Sequence, residues 1–232
     1  MSEFLAVPED DRAEVVERAA AALRRGELVV LPTDTLYGVA ADAFSKSGTR
    51  RLFEVKRRSR RFPLSVLVRS PKQLNGLVTA VPPAAERLMA AYWPGPLTIV
   101  VANDPNLMWD LGDNEGTVAV RMPLEEVTLD VIRAVGPLAV STANLSGQTP
   151  AGDAATAQMQ LGDGVAVYLE AGGRRTSQPS TIVDLTRPEP HVLREGAVDG
   201  EQALAVARGE LDPIEVDLGG TTPVSPPDDL EA

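Results

Sequence analysis

Four oxygen-bearing side chains, Thr33, Asp34, Thr35 and Tyr37, fall within five positions and are followed by Gly38. The run before them, Leu28 to Leu31, is apolar and reads as a buried strand, which Pro32 ends by removing a backbone donor. Gly38 then lets the chain turn or a ligand come close. Polar groups just past a strand end stand where open α/β sheets bind ligands, although an ordinary polar loop has the same composition. A second such stretch, Ser141-Thr142-Ala143-Asn144-Leu145-Ser146-Gly147, follows the apolar Leu138 to Val140. It can offer hydroxyls, an amide and backbone N–H groups to an anion. Between the two, Thr117-Val118-Ala119-Val120-Arg121 alternates, so Thr117, Ala119 and Arg121 share one face of a strand.

Charge narrows the chemistry further. The chain of 232 residues carries a formal net charge of −11, yet Arg50, Arg51, Lys56, Arg57, Arg58, Arg60 and Arg61 fall in a window of twelve. From Arg208 onward there are seven acidic residues and one Arg, so the segment before it is only mildly acidic, at −5. A local positive patch on an acidic protein suits a small anionic ligand better than a long nucleic acid. Cysteine is absent and His191 is the one histidine, which removes thiol nucleophiles, Cys-ligated zinc and iron–sulfur clusters and leaves a Ser-His-Asp triad poorly supplied. The reaction has to run on hydroxyls, carboxylates, Lys and Arg.

The elements that must position these groups are legible in outline. Asp10 or Asp11 caps a helix carrying Val16, Ala20 and Leu23 and stopped by Gly26. Val39 to Phe44 can extend or turn, Thr49 to Arg57 reads as a helix ending in the basic cluster, and Pro63 to Val68 as a strand. Helices are expected over Pro71 to Val78 and Pro82 to Tyr92, broken by Trp93-Pro94-Gly95-Pro96, then a strand over Leu97 to Ala102. Val127 to Val135 reads as a helix, Val165 to Leu169, Ser180 to Leu185 and Val192 to Arg194 as strands, and Glu201 to Ala207 as a last helix. The pattern predicts an α/β (α+β) fold, a twisted mixed sheet of about seven strands with helices packed around it. Residues 1–208 form the expected domain and 209–232 an acidic, Pro/Gly-rich disordered tail. Neither a P-loop nor a dinucleotide fingerprint occurs. No run of about 18 apolar residues and no signal-peptide pattern is present, so a cytoplasmic location and no membrane contact are expected.

Six segments in order resemble the YrdC-type L-threonylcarbamoyladenylate synthases. They are Pro32-Thr33-Asp34-Thr35-Leu36-Tyr37-Gly38, Phe53-Glu54-Val55-Lys56-Arg57-Arg58, Trp93-Pro94-Gly95-Pro96-Leu97-Thr98, Thr117-Val118-Ala119-Val120-Arg121-Met122-Pro123, Ser141 to Gly147 and Ser180-Thr181-Ile182-Val183-Asp184. The resemblance covers about residues 10 to 200 and implies a concave basic cavity in a single-domain form of the family. It also implies the reaction of L-threonine, bicarbonate or CO2, and ATP to threonylcarbamoyl-AMP and pyrophosphate, the first step of tRNA threonylcarbamoyladenosine modification. The product would pass to a tRNA threonylcarbamoyl transferase complex.

By the same resemblance Lys56 and Arg58 are the catalytic cations on the ATP phosphates, and Mg²⁺ is held mainly by those phosphates rather than by a protein metal site. Thr35, Arg121 and Ser180 would bind threonine, with Arg121 forked onto its carboxylate. Thr117, Ser141, Thr142, Asn144 and Arg194 would line the nucleotide, while Thr33, Asp34 and Tyr37 brace their loop. Arg121 also suits a buried structural ion pair. The chain departs from the family pattern at Ser59, Phe62 and Leu67, which bears on threonine binding. Two rival readings are an RNA-binding module using the basic cavity and a carbamoyl transfer of the hydrogenase-maturation kind. The low aromatic content of 4% speaks against the first, and the missing Cys-rich zinc segments against the second.

Overall fold

The computed structural model describes residues 2–174 and 178–215. Its strands are β1 (Glu3–Ala6), β2 (Val29–Leu31), β3 (Gly38–Asp42), β4 (Ser65–Leu67), β5 (Leu97–Ala102), β6 (Thr117–Arg121), β7 (Leu138–Thr142), β8 (Val167–Glu170), β9 (Thr181–Asp184) and β10 (His191–Arg194). The helices are α1 (Ala13–Arg24), α2 (Lys46–Lys56), α3 (Pro71–Leu74), α4 (Pro83–Tyr92), α5 (Glu126–Val135), α6 (Ala154–Leu161) and α7 (Gly200–Arg208). All ten strands join one mixed sheet in the order β1-β8-β2-β3-β7-β4-β6-β5-β9-β10. The expected architecture holds, with ten strands instead of about seven. Two elements lie outside the expected set: β1, a mostly exposed edge strand parallel to β8, and α6, capped by Asp153 accepting from Thr156 N at 2.6 Å. The helix expected over 71–78 stops at Leu74, and its remainder folds into turns around Asn75-Gly76.

Local chemistry explains the ends of the other helices. Asp11 Oδ1 accepts the Ala13 N–H at 3.0 Å at the start of α1, and Gly26, at φ +73°, turns the chain out of it. Ser45 caps α2 by accepting from Gly48 N at 3.2 Å. At the far end Arg57, a non-glycine residue, takes the left-handed conformation (φ 50°, ψ 40°), and Arg58 N–H closes back on Phe53 O at 2.9 Å. That reversal throws Arg57 outward and Arg58 back over the sheet.

The two faces of the sheet are covered unequally. One packs Val30, Val39, Val66, Ile99, Val120 and Val183 into the main core under α2, α3, α4, α6 and α7. On the other, α1 and α5 cover Val29, Leu31, Ala40, Leu67, Leu138 and Val167, and the cover stops there. Beyond it, Val100, Ala119 and Ile182, each alternating with a buried neighbour, stay partly exposed. The bare half of this face, β4-β6-β5-β9 and the rim of β10, is where the functional groups gather. Gly38 pairs with Thr142 in the β3–β7 ladder, and a Cβ there would stand 2.8 Å from Val140 Cγ2. Among the described residues no helix is long and apolar enough to cross a membrane. Residues 209–215 continue from α7, with Leu211 against the main core, while the rest of the expected tail, 216–232, lies outside the described residues.

A Gly38→Ala variant is expected to lose about 1–3 kcal/mol by overpacking at the β3–β7 seam, read as a lower urea midpoint at unchanged slope.

Candidate functional site

Cross-strand pairing brings distant residues onto the bare face. Ser65 stands opposite Val140, Leu67 opposite Arg121, and Arg194 opposite Ile182, which itself pairs with Thr98. Together with the β2–β3 loop they border an open hollow of about 710 Å³, counted out to its solvent-filled mouth.

Of the residues expected at the site, Thr35, Arg58, Arg121, Ser141, Thr142, Ser180 and Arg194 line this hollow. Lys56 and Asn144 sit directly behind Thr142. Lys56 Nζ donates to Thr142 O, to Asn144 O at 2.6 Å and to Asn144 Oδ1 at 3.4 Å. The Asn144 amide donates in turn to Leu145 O at 2.8 Å and Gln148 O at 2.7 Å, so the pair fixes the loop after β7. Thr117 is the exception. It shares a face with Arg121 but lies four residues away, about 13 Å along the strand, and its hydroxyl donates to Asn114 O at 2.8 Å. The strand alternation is as expected, and Thr117 lies outside the lining of this hollow.

Arg121 is held on three sides. Its Nε donates to Gly95 O at 2.9 Å, Nη1 to Thr35 Oγ1 at 2.9 Å and Nη2 to Asp34 Oδ1 at 2.6 Å. Asp34 Oδ1 also accepts from Leu124 N at 2.9 Å, which locks the loop to the end of β6. Arg121 is therefore both the buried ion pair and a wall of the hollow. A guanidinium has five N–H groups and these bonds use three, so two remain for a ligand. Thr33 braces the same loop, donating to Leu36 O at 2.6 Å, while Tyr37 OH donates to Gly172 O at 2.9 Å and accepts from Ala171 N at 2.9 Å. Burial drives the Tyr37 hydroxyl pKa up to about 12, so it stays protonated.

The other two guanidinium groups have no carboxylate partner among the described residues. Arg58 donates to Phe62 O at 2.8 Å and Pro63 O at 3.2 Å; Arg194 donates to Ser180 O at 2.7 Å and Ser180 Oγ at 3.0 Å. Arg194 is exposed at the rim, although its guanidinium bonds to Ser180 are partly buried. Its pKa is lowered by burial and by the charges of Arg121 and Arg58, and that of Arg58 is lowered by burial. Lys56 is lowered to about 7, first by burial and then by Arg58. An anion in the hollow relieves all of these at once.

Sequence reasoning passed over the floor. Thr98 is buried and shares a 2.8 Å hydrogen bond with Ser180 Oγ; its place beside Val100 in the β5 alternation was the available signal. Ser65, Leu67 and Val140 complete the floor, and Leu67, a departure from the family pattern, marks where the cover of α5 ends. Gly196 backs Ser180: a Cβ there would run into Pro179 O and lie 2.6 Å from Thr181 N. Among the described residues no group of three or more His, Asp or Glu could hold a metal ion.

Fold and hollow together define a single-sheet α/β domain with a hollow lined by three guanidinium groups and several hydroxyls. The model of the Sua5/YciO/YrdC family, described as "Telomere recombination", matches residues 21–196, and this chain belongs to that family. A Mycobacterium tuberculosis protein named putative threonylcarbamoyl-AMP synthase is 49% identical over 197 residues, which are 85% of this chain and 91% of the relative. The threonylcarbamoyl-AMP synthase of Pyrococcus abyssi is 35% identical over 185 residues, 79% of this chain and 54% of that protein. The crystal structure of P. abyssi Sua5 complexed with L-threonine matches with a TM-score of 0.85 at 32% identity, over 91% of this chain and 62% of that one. The chain thus spans a little over half the length of these archaeal proteins. Escherichia coli YciO, at a TM-score of 0.78, 24% identity and coverage of 86% of this chain and 98% of its own, shares the fold.

Lys56 supplies a pH test. Between its pKa of about 7 in the folded chain and its ordinary 10.5, the unfolded chain holds a proton that the folded one has released. Stability of the unliganded protein therefore rises with pH across this window, and the full penalty is present below it. Polyphosphate binding at pH 8 is expected to take up as much as about one proton, seen in titration calorimetry as a binding enthalpy that changes with the buffer's ionisation enthalpy; Lys56→Met removes that dependence.

Proposed function

We propose that this chain is an L-threonylcarbamoyladenylate synthase of the cytoplasm, converting L-threonine, bicarbonate or CO2, and ATP to threonylcarbamoyl-AMP and pyrophosphate. The observation that carries the reading is the gathering of Lys56, Arg58 and Arg194, none with a carboxylate partner among the described residues, beside a hydroxyl-lined recess. Like charges brought this close repel, and a triphosphate is the kind of ligand that repays that cost. The reading places the phosphates against Arg58, Arg194 and the loop that Lys56 holds, and threonine in the recess of Thr35, Arg121, Thr98 and Ser180. The two unspent N–H groups of Arg121 suit the amino-acid carboxylate in a forked pair.

The chemistry needs no covalent enzyme nucleophile. Threonine's amine adds CO2 and gives up a proton to form a carbamate, whose oxygen attacks the α-phosphorus as the bond to the pyrophosphate oxygen breaks. The residues then act by positioning both ligands and by stabilising the negative charge of the leaving pyrophosphate. With Asp34 committed to Arg121 and no carboxylate among the described residues lining the hollow, the donor set fits a Mg²⁺ carried on phosphate oxygens and water, where it would neutralise phosphate charge. The product would then serve tRNA threonylcarbamoyladenosine formation by a separate transferase.

Purified protein with Mg²⁺, ATP and bicarbonate is expected to release pyrophosphate only when threonine is added. Lys56→Ala and Arg58→Ala should each reduce release about 10²-fold or more, and threonine-independent release would defeat the assignment. Arg121→Lys, which keeps the charge and loses the fork, should raise the threonine KM about tenfold or more with a smaller change in the ATP KM.

A further inference from the structure

Thr35 lines the hollow from the loop between β2 and β3, which takes no part in the sheet ladder. Its hydroxyl accepts from Arg121 Nη1 at 2.9 Å and stands 3.0 Å from Thr33 Oγ1. Thr33 Oγ1 already gives its one proton to Leu36 O at 2.6 Å and accepts from Thr35 N at 3.2 Å. The Thr35 proton therefore points to Thr33 Oγ1 or to a guest in the hollow, and the place of Thr33 decides where that proton is offered.

Thr33 is held in turn by a residue outside the lining. Arg174, four residues past β8, has a side chain only 10% exposed. Its Nη1 donates to Glu125 Oε2 at 2.6 Å and to Thr33 O at 3.2 Å, and its Nη2 donates to Gly172 O at 3.0 Å and to Ala171 O. The guanidinium lies 5.1 Å from the centre of the Tyr37 ring, at the other end of the same loop, and the Arg174 backbone N–H donates to Gly152 O at 2.9 Å. Glu125 directly follows Leu124, whose N–H fixes Asp34. The β6–α5 connection thus grips the loop twice, through Asp34 beside Arg121 and through Glu125 by way of Arg174. Apolar side chains often replace a buried ion pair at no loss of stability, so holding the fold together does not by itself call for a guanidinium here. What the fork supplies is direction, since it sets three carbonyls and a carboxylate at fixed angles to one another.

We propose that Arg174, clamped by Glu125, is a positioning residue for the amino-acid recess: through the Thr33 carbonyl it sets the Thr35 hydroxyl beside Arg121. The inference rests on the reading of the hollow as a threonine site. Arg174 touches no ligand in that reading, so it acts on threonine affinity and not on the phosphates assigned to Arg58 and Arg194.

The test compares the full chain with its Arg174→Met, Arg174→Lys, Glu125→Ala and Glu125→Gln variants in threonine-dependent pyrophosphate release. Arg174→Met should raise the threonine KM about fivefold or more, because small displacements of a positioned group are costly, while kcat and the ATP KM stay within about twofold. Glu125→Ala should move the threonine KM in the same direction. The double variant should be no worse than Arg174→Met alone, as expected of two residues that act as one clamp. Glu125→Gln, which keeps an oxygen for Nη1, should stay closer to the unaltered chain than Glu125→Ala does. If Arg174→Met does not fold, Arg174→Lys, which keeps the charge without the fork, carries the same comparison. A variant that is merely less stable loses active protein, which lowers the apparent kcat and leaves KM alone. That pattern, or equal shifts in the KM of threonine and of ATP, would overturn the inference and leave the reaction in place. Absence of threonine-dependent release from the unaltered chain would instead defeat the reading of the hollow, and the inference with it.

Discussion

Mutual repulsion is the constraint around which the hollow is built. Arg58, Arg121 and Arg194 lie close enough to depress the pKa of Arg194, and Arg58 adds to the burial that depresses Lys56. Among the described residues one carboxylate, Asp34, answers for the group, and it is spent on Arg121. The remaining charges rest on carbonyl and hydroxyl oxygens, which orient them without neutralising them. A fold can hold such an arrangement only on a stiff support, and here the support is a sheet in which β7, β4, β6, β5 and β9 are each paired on both sides, with only β10, which carries Arg194, at the edge.

The restraint on each cation comes from a different part of the chain. The left-handed turn at Arg57 aims Arg58, the Asp34–Leu124 bond and the Gly95 carbonyl aim Arg121, and the backbone of Ser180, pressed by Gly196, aims Arg194. Because these anchors are remote from one another in sequence, the site forms only when the whole sheet has formed. Breaking the Asp34–Arg121 pair would leave a buried unpaired charge, a loss of about 3–5 kcal/mol in comparable cases. Stability and binding therefore draw on the same residues.

Much of this was legible before the structure. Leu97–Ala102, β-branched after a Pro/Gly break, and the alternating Thr117–Arg121 have observed bounds that match the expected ones. The loop after β2 does converge with Ser141 and Thr142, although these two lie within β7, paired with Val39 and Gly38, and not past its end; the resemblance carried Arg194 and Ser180 to the same hollow. What escaped had weak local contrast. Glu3–Ala6 is a short edge strand whose side chains mostly face water, and α6 buries Ala154, Ala157 and Leu161, where two of the three anchors are alanines. Thr117 shows a second limit: alternation tells which face a residue occupies but not how far along the strand a ligand reaches. The half-covered face is a third, since the stopping point of α5 near Leu67 depends on the path of the chain and not on any local pattern.

The missing cover has a further meaning. A recess made by leaving part of a sheet unroofed has a floor that cannot breathe, because each of its strands is pinned by two neighbours, whereas its walls are loops and side-chain ends. Any tightening around a guest must therefore come from above, so selectivity can be retuned at the walls while the fold's foundations stay as they are.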